Sequence, residues 1–299
     1  MNDQLSGYDK LGARVLYGPV GKRTFIRQDY DGDNKVDLVV YRPSAGTWFV
    51  HRSSGGNDLV TQFGLSNDRP VAGDYDGDRK ADVAVYRPSN GTWFVRGSAG
   101  GADMVIQFGL STDLPAPGDY DGDGRADPAV FRPSNGTWFV RRSSGVADMV
   151  VQFGVSTDVP VPGDYDGDGM TDVAVFRPSN GTWFAHFTSG MGDMVTQFGL
   201  SSDRPVPGDY DGDGKTDVAV FRPSNGRWFA HLSGGGNDLD VQWGESTDRA
   251  IPGDYDGDGK TDVAVFRPST GTWFALPSSG ASVIQVQFGV TSDVVPYSK

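Results

Sequence analysis

The string Asp-Tyr-Asp-Gly-Asp begins at Asp29, Asp74, Asp119, Asp164, Asp209 and Asp254, six copies at an unbroken spacing of 45 residues. A fixed period places every copy in the same structural environment. A supersecondary unit of that size cannot bury its apolar faces alone, so its copies must stack on one another. The chain is therefore an array of one unit. Residues 1–28 precede it as an N-terminal segment and candidate closing strand, and residues 29–299 form one domain.

The unit reads as four strands. Val83-Ala84-Val85-Tyr86 is β-branched and aromatic, Pro88-Ser89-Asn90-Gly91 supplies a turn, and Thr92-Trp93-Phe94-Val95 completes a hairpin. Met104-Val105-Ile106-Gln107-Phe108 follows as an outer strand, and Val71-Ala72-Gly73-Asp74-Tyr75 leads into the next acidic string. No window has a 3.6-residue apolar period, and turn residues separate all four segments. The expectation is an all-β fold, a β-propeller of four-stranded blades, since 40–50 residues is blade size. Trp48, Trp93, Trp138, Trp183, Trp228 and Trp273 read as core between blades rather than as a ring of sugar-stacking platforms. Six blades are favoured over seven. First strands would number seven if both Phe25-Ile26-Arg27 and Val294-Val295-Pro296-Tyr297 are counted. Ala13-Arg14-Val15-Leu16-Tyr17-Gly18 resembles a degenerate fourth strand, so the termini could overlap to seal the ring.

The acidic strings carry the chemistry. Their carboxylates fall at loop positions one, three, five and nine: Asp29, Asp31, Asp33 and Asp37, then Asp74, Asp76, Asp78 and Asp82, then Asp119, Asp121, Asp123 and Asp127. The later copies supply Asp164, Asp166, Asp168 and Asp172, then Asp209, Asp211, Asp213 and Asp217, and last Asp254, Asp256, Asp258 and Asp262. This matches the first nine positions of an EF-hand calcium loop, in which alternate residues point to one centre and the backbone carbonyl of position seven adds an oxygen. Here position seven is Lys35, Lys80, Arg125, Met170, Lys215 or Lys260. Flanking helices and a Glu at position twelve are lacking, so the loop is set between the first and second strands of a blade. Hard oxygen ligands suit calcium, about one ion per repeat and six in all. With a formal net charge of −13, six divalent ions would bring the chain close to neutral. Position six is Gly in four loops but Asn34 and Arg79 in the first two. A long side chain is strained at positive φ, so the second site is expected to be weakest.

Together these residues resemble the FG-GAP and VCBS-type repeats, including the propeller of integrin α-subunits. The resemblance rests on Phe63-Gly64, then Pro70-Val71-Ala72-Gly73, then the acidic string, with the same order at Phe108-Gly109, Phe153-Gly154 and Phe198-Gly199. The fifth copy has Trp243-Gly244 instead. It implies calcium loops between the first two strands of each blade. The copies are more alike than is usual in the family, so family ligand loops do not transfer.

Function is bounded more loosely. There are no cysteines, hence no disulfide or thiol chemistry. The stretch Met1-Asn2-Asp3-Gln4 lacks the basic and apolar regions of a signal peptide, and no apolar run is long enough to insert in a membrane. Acidic residues outnumber basic ones, 39 to 26, which disfavours nucleic acid. Nearly every polar residue recurs sixfold, whereas catalysis needs a unique constellation. His51, His186 and His231 read as surface residues, and Asp68, Asp113, Asp158, Asp203, Asp248 and Asp293 as turn caps or partners of Arg42, Arg87, Arg132, Arg177, Arg222 and Arg267. The expected function is an extracellular or secreted, monomeric recognition or adhesion module for glycan or protein, not an enzyme. A spacer scaffold with no ligand but calcium is the alternative, and a propeller hydrolase or lyase is a lesser one. The segments that vary between copies, such as His51-Arg52-Ser53-Ser54-Gly55-Gly56-Asn57, are the candidate contact surface.

Overall fold

A computed structural model describes residues 28–296, and every regular element among them is a β-strand. The second blade shows how the repeat folds. Val83–Arg87 and Thr92–Arg96 pair antiparallel from Val83↔Arg96 to Arg87↔Thr92. At the end of the turn between them Gly91 has φ 67°, and a Cβ there would stand 2.2 Å from the Gly109 carbonyl oxygen. Only glycine closes that hairpin. Met104–Gln107 joins one edge of the hairpin and Arg69–Pro70 the other. The inner pairing continues as the Val71 amide donates to Ala84 at 2.9 Å and the Asp82 amide to Gly73 at 2.7 Å. The inner strand thus starts two residues before Val71 and ends where the acidic loop begins.

Burial accounts for the apolar runs. Val83–Arg87 is buried on both faces except at its last residue, whereas Met104–Gln107 alternates, as an outermost strand does. Ala84 and Tyr86 pack with Trp93 against Val130 of the third blade, while Val83 and Val85 pack against Val39, Tyr41 and Trp48 of the first. The six repeated tryptophans are at most 1% exposed, so they are inter-blade core. Each also ties its blade together: the Trp93 indole N–H donates to the Phe108 carbonyl at 2.8 Å.

Six sheets close into a ring. Leu38–Arg42, Thr47–His51 and Leu59–Gln62 form a first sheet of three strands, and the chain end fills its fourth place. Tyr41 and Val294 exchange two backbone hydrogen bonds of 2.8 Å, and Val295 is buried with Val36, Leu38 and Val40 of the first blade and Phe266 and Trp273 of the sixth. The propeller is therefore six-bladed. Phe25-Ile26-Arg27, Ala13 to Gly18 and Tyr297 lie outside the described residues.

A carboxylate–guanidinium pair clamps the base of each blade. Asp68 accepts Arg87 Nε and Nη2, both at 2.9 Å, and the Leu65 amide at 2.9 Å. It both caps the turn and pairs with the arginine, whose guanidinium lies 4.2 Å over the Phe94 ring. In the first blade the pair is Arg42–Asp293, at 2.8 and 2.9 Å, joining residues 251 apart. The Asp293 carboxylate is 0% exposed, so its loss strands a half-buried guanidinium. Asp293→Asn is expected to speed exchange of the Tyr41 amide about tenfold over that of Phe176, which has the same register in the fourth blade. An unchanged ratio, read by amide hydrogen exchange, would leave closure to the backbone bonds alone.

Candidate metal centre

Each acidic loop turns the chain from the inner strand into the second strand, and its own amides aim the carboxylates. In the first loop Asp37 is fully buried, and its two oxygens accept the Tyr30 amide and the Ser53 amide, each at 2.7 Å. Asp29 accepts the amides of Gly32 at 2.6 Å and Asn34 at 2.9 Å. Asp31 accepts that of Asp33 at 3.3 Å, and Asp33 that of Lys35 at 2.9 Å. Backbone N–H groups held this way orient the acids without neutralising them.

In each of the first five loops the structure brings three of the four expected carboxylates together. Carboxylate oxygens of Asp29, Asp31 and Asp33 lie within 4.8 Å of one another, as do those of Asp74, Asp76 and Asp78. In the third to fifth loops the groups are Asp119, Asp121 and Asp127, then Asp164, Asp166 and Asp172, then Asp209, Asp211 and Asp217. Asp123, Asp168 and Asp213 hold the amides of Arg125, Met170 and Lys215 at 2.7–2.8 Å. In the sixth loop Asp254 accepts Gly257 and Gly259, Asp262 accepts Tyr255, and Asp258 accepts Lys260. The amide of Lys80 likewise donates to Asp78. Position six needs positive φ, and Asn34 (66°) and Arg79 (72°) are the non-glycine residues that adopt it among the described residues.

Electrostatics follow from the crowding. Burial, and then the neighbouring carboxylates, push Asp37, Asp82, Asp172 and Asp262 up to about 6 and Asp127 up to about 7, against the pull of the amides they accept. Burial also raises Asp29, Asp74, Asp119, Asp164, Asp209 and Asp254. An all-oxygen donor set that resists its own negative charge fits a hard divalent cation.

Two features escaped the sequence reading. The first is a set of hydroxyls from the connection between the third and fourth strands. Ser53 Oγ donates to both Asp33 oxygens at 2.9 Å, and Ser54 Oγ to Asp31 at 2.5 Å. The signal was there, since Ser98, Ser143, Thr188, Ser233 and Ser278 recur at the period of Ser53. The second is that the loops touch. The Ala81 amide donates to the Asp29 carbonyl at 2.5 Å, and round the ring the Val36 amide donates to that of Asp254 at 2.7 Å. The position-seven side chain covers the preceding loop, with Lys80 3.2 Å from where a Cβ on Gly32 would lie. His51, His186 and His231 are 41–54% exposed, as expected of surface residues, and each meets an acid seven residues on, Asp58, Asp193 or Asp238, at 2.6–2.8 Å.

Fold and loops together define a repeat propeller that carries an acidic loop in each blade, and the comparisons agree on the repeat and the fold. The model of the FG-GAP-like repeat matches residues 29–85, 164–220 and 209–265, more than half of the chain. The chain belongs to that family. No curated protein matches its sequence. Among solved structures it is similar to an Agrocybe aegerita lectin described as recognising non-reducing terminal N-acetylglucosamine, with TM-score 0.58 and 16% identity over 88% of this chain and 79% of that one. It is also similar to virginiamycin B lyase from Staphylococcus aureus, with TM-score 0.53 and 10% identity over 90% and 88%. A chain of a nidogen/laminin complex follows, with TM-score 0.52 and 12% identity over 83% and 91%. At these identities the likeness is one of fold.

Two outcomes are expected. In chelator, position-nine carboxylates that hold protons in the folded chain up to pH 6–7, but release them near 3.8 when unfolded, cost stability as pH rises through that window. The chelated protein should therefore melt at a higher temperature at pH 5 than at pH 8, and a flat or rising profile would contradict the burial. Arg79→Gly removes αL strain from an exposed side chain, and a gain of about 1 kcal/mol in denaturant titration is expected.

Proposed function

We propose that the protein is an extracellular, calcium-binding propeller that acts as a non-enzymatic recognition or adhesion module for a glycan or protein. Each loop takes one Ca²⁺, about six per chain, through the carboxylates at positions one, three, five and nine and the backbone carbonyl of the position-seven residue, from Lys35 to Lys260. The observation that carries this is the convergence of at least three carboxylates within 4.8 Å in successive loops. A divalent ion offsets the like-charge repulsion there and the raised proton affinity of the buried position-nine acids. Loops of this kind in extracellular modules work at millimolar calcium, which supports a secreted location.

Recognition is assigned to the segments after the third strands. Ser53 and Ser54, Ser143 and Ser144, and Ser278 and Ser279 fasten those segments to the acidic loops. The ion then holds each segment in place through the carboxylates that the hydroxyls grip. Residues beyond the serines, Gly55-Gly56-Asn57 against Gly190-Met191-Gly192, differ between blades and are exposed, as a surface that reads an asymmetric ligand requires. The same drift favours the scaffold reading if nothing binds there. Fold alone decides neither, since this ring also serves a lyase.

Calorimetric titration of metal-free protein should give close to six calcium sites with a large rise in melting temperature, and Asp164→Ala with Asp168→Ala should remove one site and part of that rise. Equal losses in calcium and in chelator would refute metal binding at that loop. Glycan arrays probed in calcium should retain the protein, and silence across a broad array and a panel of matrix proteins would favour the scaffold.

A further inference from the structure

Arg69, Arg204 and Arg249 occupy the same register at the start of the inner strands of the second, fifth and sixth blades, where the third, fourth and first carry Leu114, Val159 and Val294. They lie on the face opposite the acidic loops, since each inner strand runs from this end to its loop. Only blades five and six place two such arginines on adjacent strands. Each guanidinium reaches round to the next blade and donates Nη1 to a backbone carbonyl: Arg204 to Asp248 at 3.1 Å, Arg249 to Asp293 at 2.9 Å, and Arg69 to Asp113 at 3.2 Å.

The carboxylates of those same aspartates are committed elsewhere. Asp248 is held by Arg267 and Asp293 by Arg42, both in two-pronged pairs, and nearby Glu245 is taken up by Arg267 as well. Among the described residues no carboxylate comes within 4.0 Å of Arg204 or Arg249. Two cations are thus fixed side by side at the inner edge, each with one hydrogen bond to a neutral carbonyl and its remaining N–H groups unspent. Burial and then the charge of Arg204 both lower the proton affinity of Arg249, so the positions are close enough to repel. A half-buried like-charged pair with no counter-ion in the protein is costly unless an anion completes it.

We infer that Arg204 and Arg249 form a binding site for an oxyanion, a sulfate, phosphate or carboxylate group, at the mouth of the ring opposite the acidic loops. A planar or tetrahedral oxyanion can accept from two guanidiniums at once, which a halide cannot do with comparable geometry. Arg69, flanked by Leu114 on one side and Val294 on the other, lacks the second cation and serves as an internal control. The site is independent of the metal reading, because it lies at the other end of the inner strands and uses no loop carboxylate.

Isothermal titration of the full chain with sodium sulfate, at ionic strength held constant with sodium chloride, tests this. One saturable site is expected, weakened at least about tenfold in Arg204→Leu and in Arg249→Val, and unchanged in Arg69→Leu. These substitutions install side chains that other blades already carry at this register, and melting curves confirm that the ring is intact. A parallel titration with sodium glucuronate separates the sources: binding comparable to sulfate assigns the group to an acidic sugar, and sulfate binding alone assigns a free inorganic anion. No saturable sulfate binding, or equal loss in Arg69→Leu, would overturn the inference.

Discussion

Each blade is buried on both faces, and neither face is covered by its own sheet. Val83 and Val85 need the first blade, and Ala84 and Tyr86 need the third. A unit that must be flanked twice has no stable end, so an open stack would leave two apolar sheets in water. Closure removes both ends at once. It is achieved with a short stretch of chain: one backbone bridge at Val294, one buried side chain at Val295, and a clamp from Asp293 to Arg42. Those contacts repeat what every other blade has between its own residues, so the seam is chemically ordinary and topologically special.

The acidic loops stand in a second ring on top of the first. Each lends its first carbonyl to the next loop's position-eight amide, and the fourth-position glycines Gly32, Gly77, Gly122, Gly212 and Gly257 lie beneath the following position-seven side chain. The loops therefore do not fold in isolation. Backbone hydrogen bonds join every loop to the loops on both sides of it. The buried position-nine acid is the link between this layer and the core. It holds the amide of the Tyr at position two, whose ring enters the inter-blade cluster, and the amide of the serine that anchors the outer connection.

How much of this could be read from the sequence differs by feature. The period, the tryptophans and the Asp-x-Asp-x-Asp-Gly spacing are local patterns repeated six times, and noise in one copy is averaged by the others. Even the strained Arg79 was legible, because the four glycines at its position declare the backbone conformation. Ring closure was legible only in part: Val294-Val295-Pro296-Tyr297 reads as a surplus first strand, but Val294-Val295 shares no side chain with Arg69-Pro70, so its place in the ring is not marked locally. What identifies it is a partner 253 residues away at Tyr41. The serine contacts were hidden for another reason: they lie in the segment whose copies differ, where one recurring hydroxyl stands among residues that change from blade to blade.

Departures from the repeat are where an array can acquire something its unit does not specify. Sixfold repetition accounts for the core, the clamps and the loops, all of which follow from burial and charge within one unit and its neighbours. It does not account for Arg204 and Arg249, which stand where other blades put Leu or Val and gain no acid in exchange. An exposed substitution of that sort would be neutral drift, but a partly buried arginine next to a second one, with no acid beside either, is not what regular packing selects. An array selected only for regular packing would lose them, whereas one that uses its inner mouth to hold an anion would keep them together.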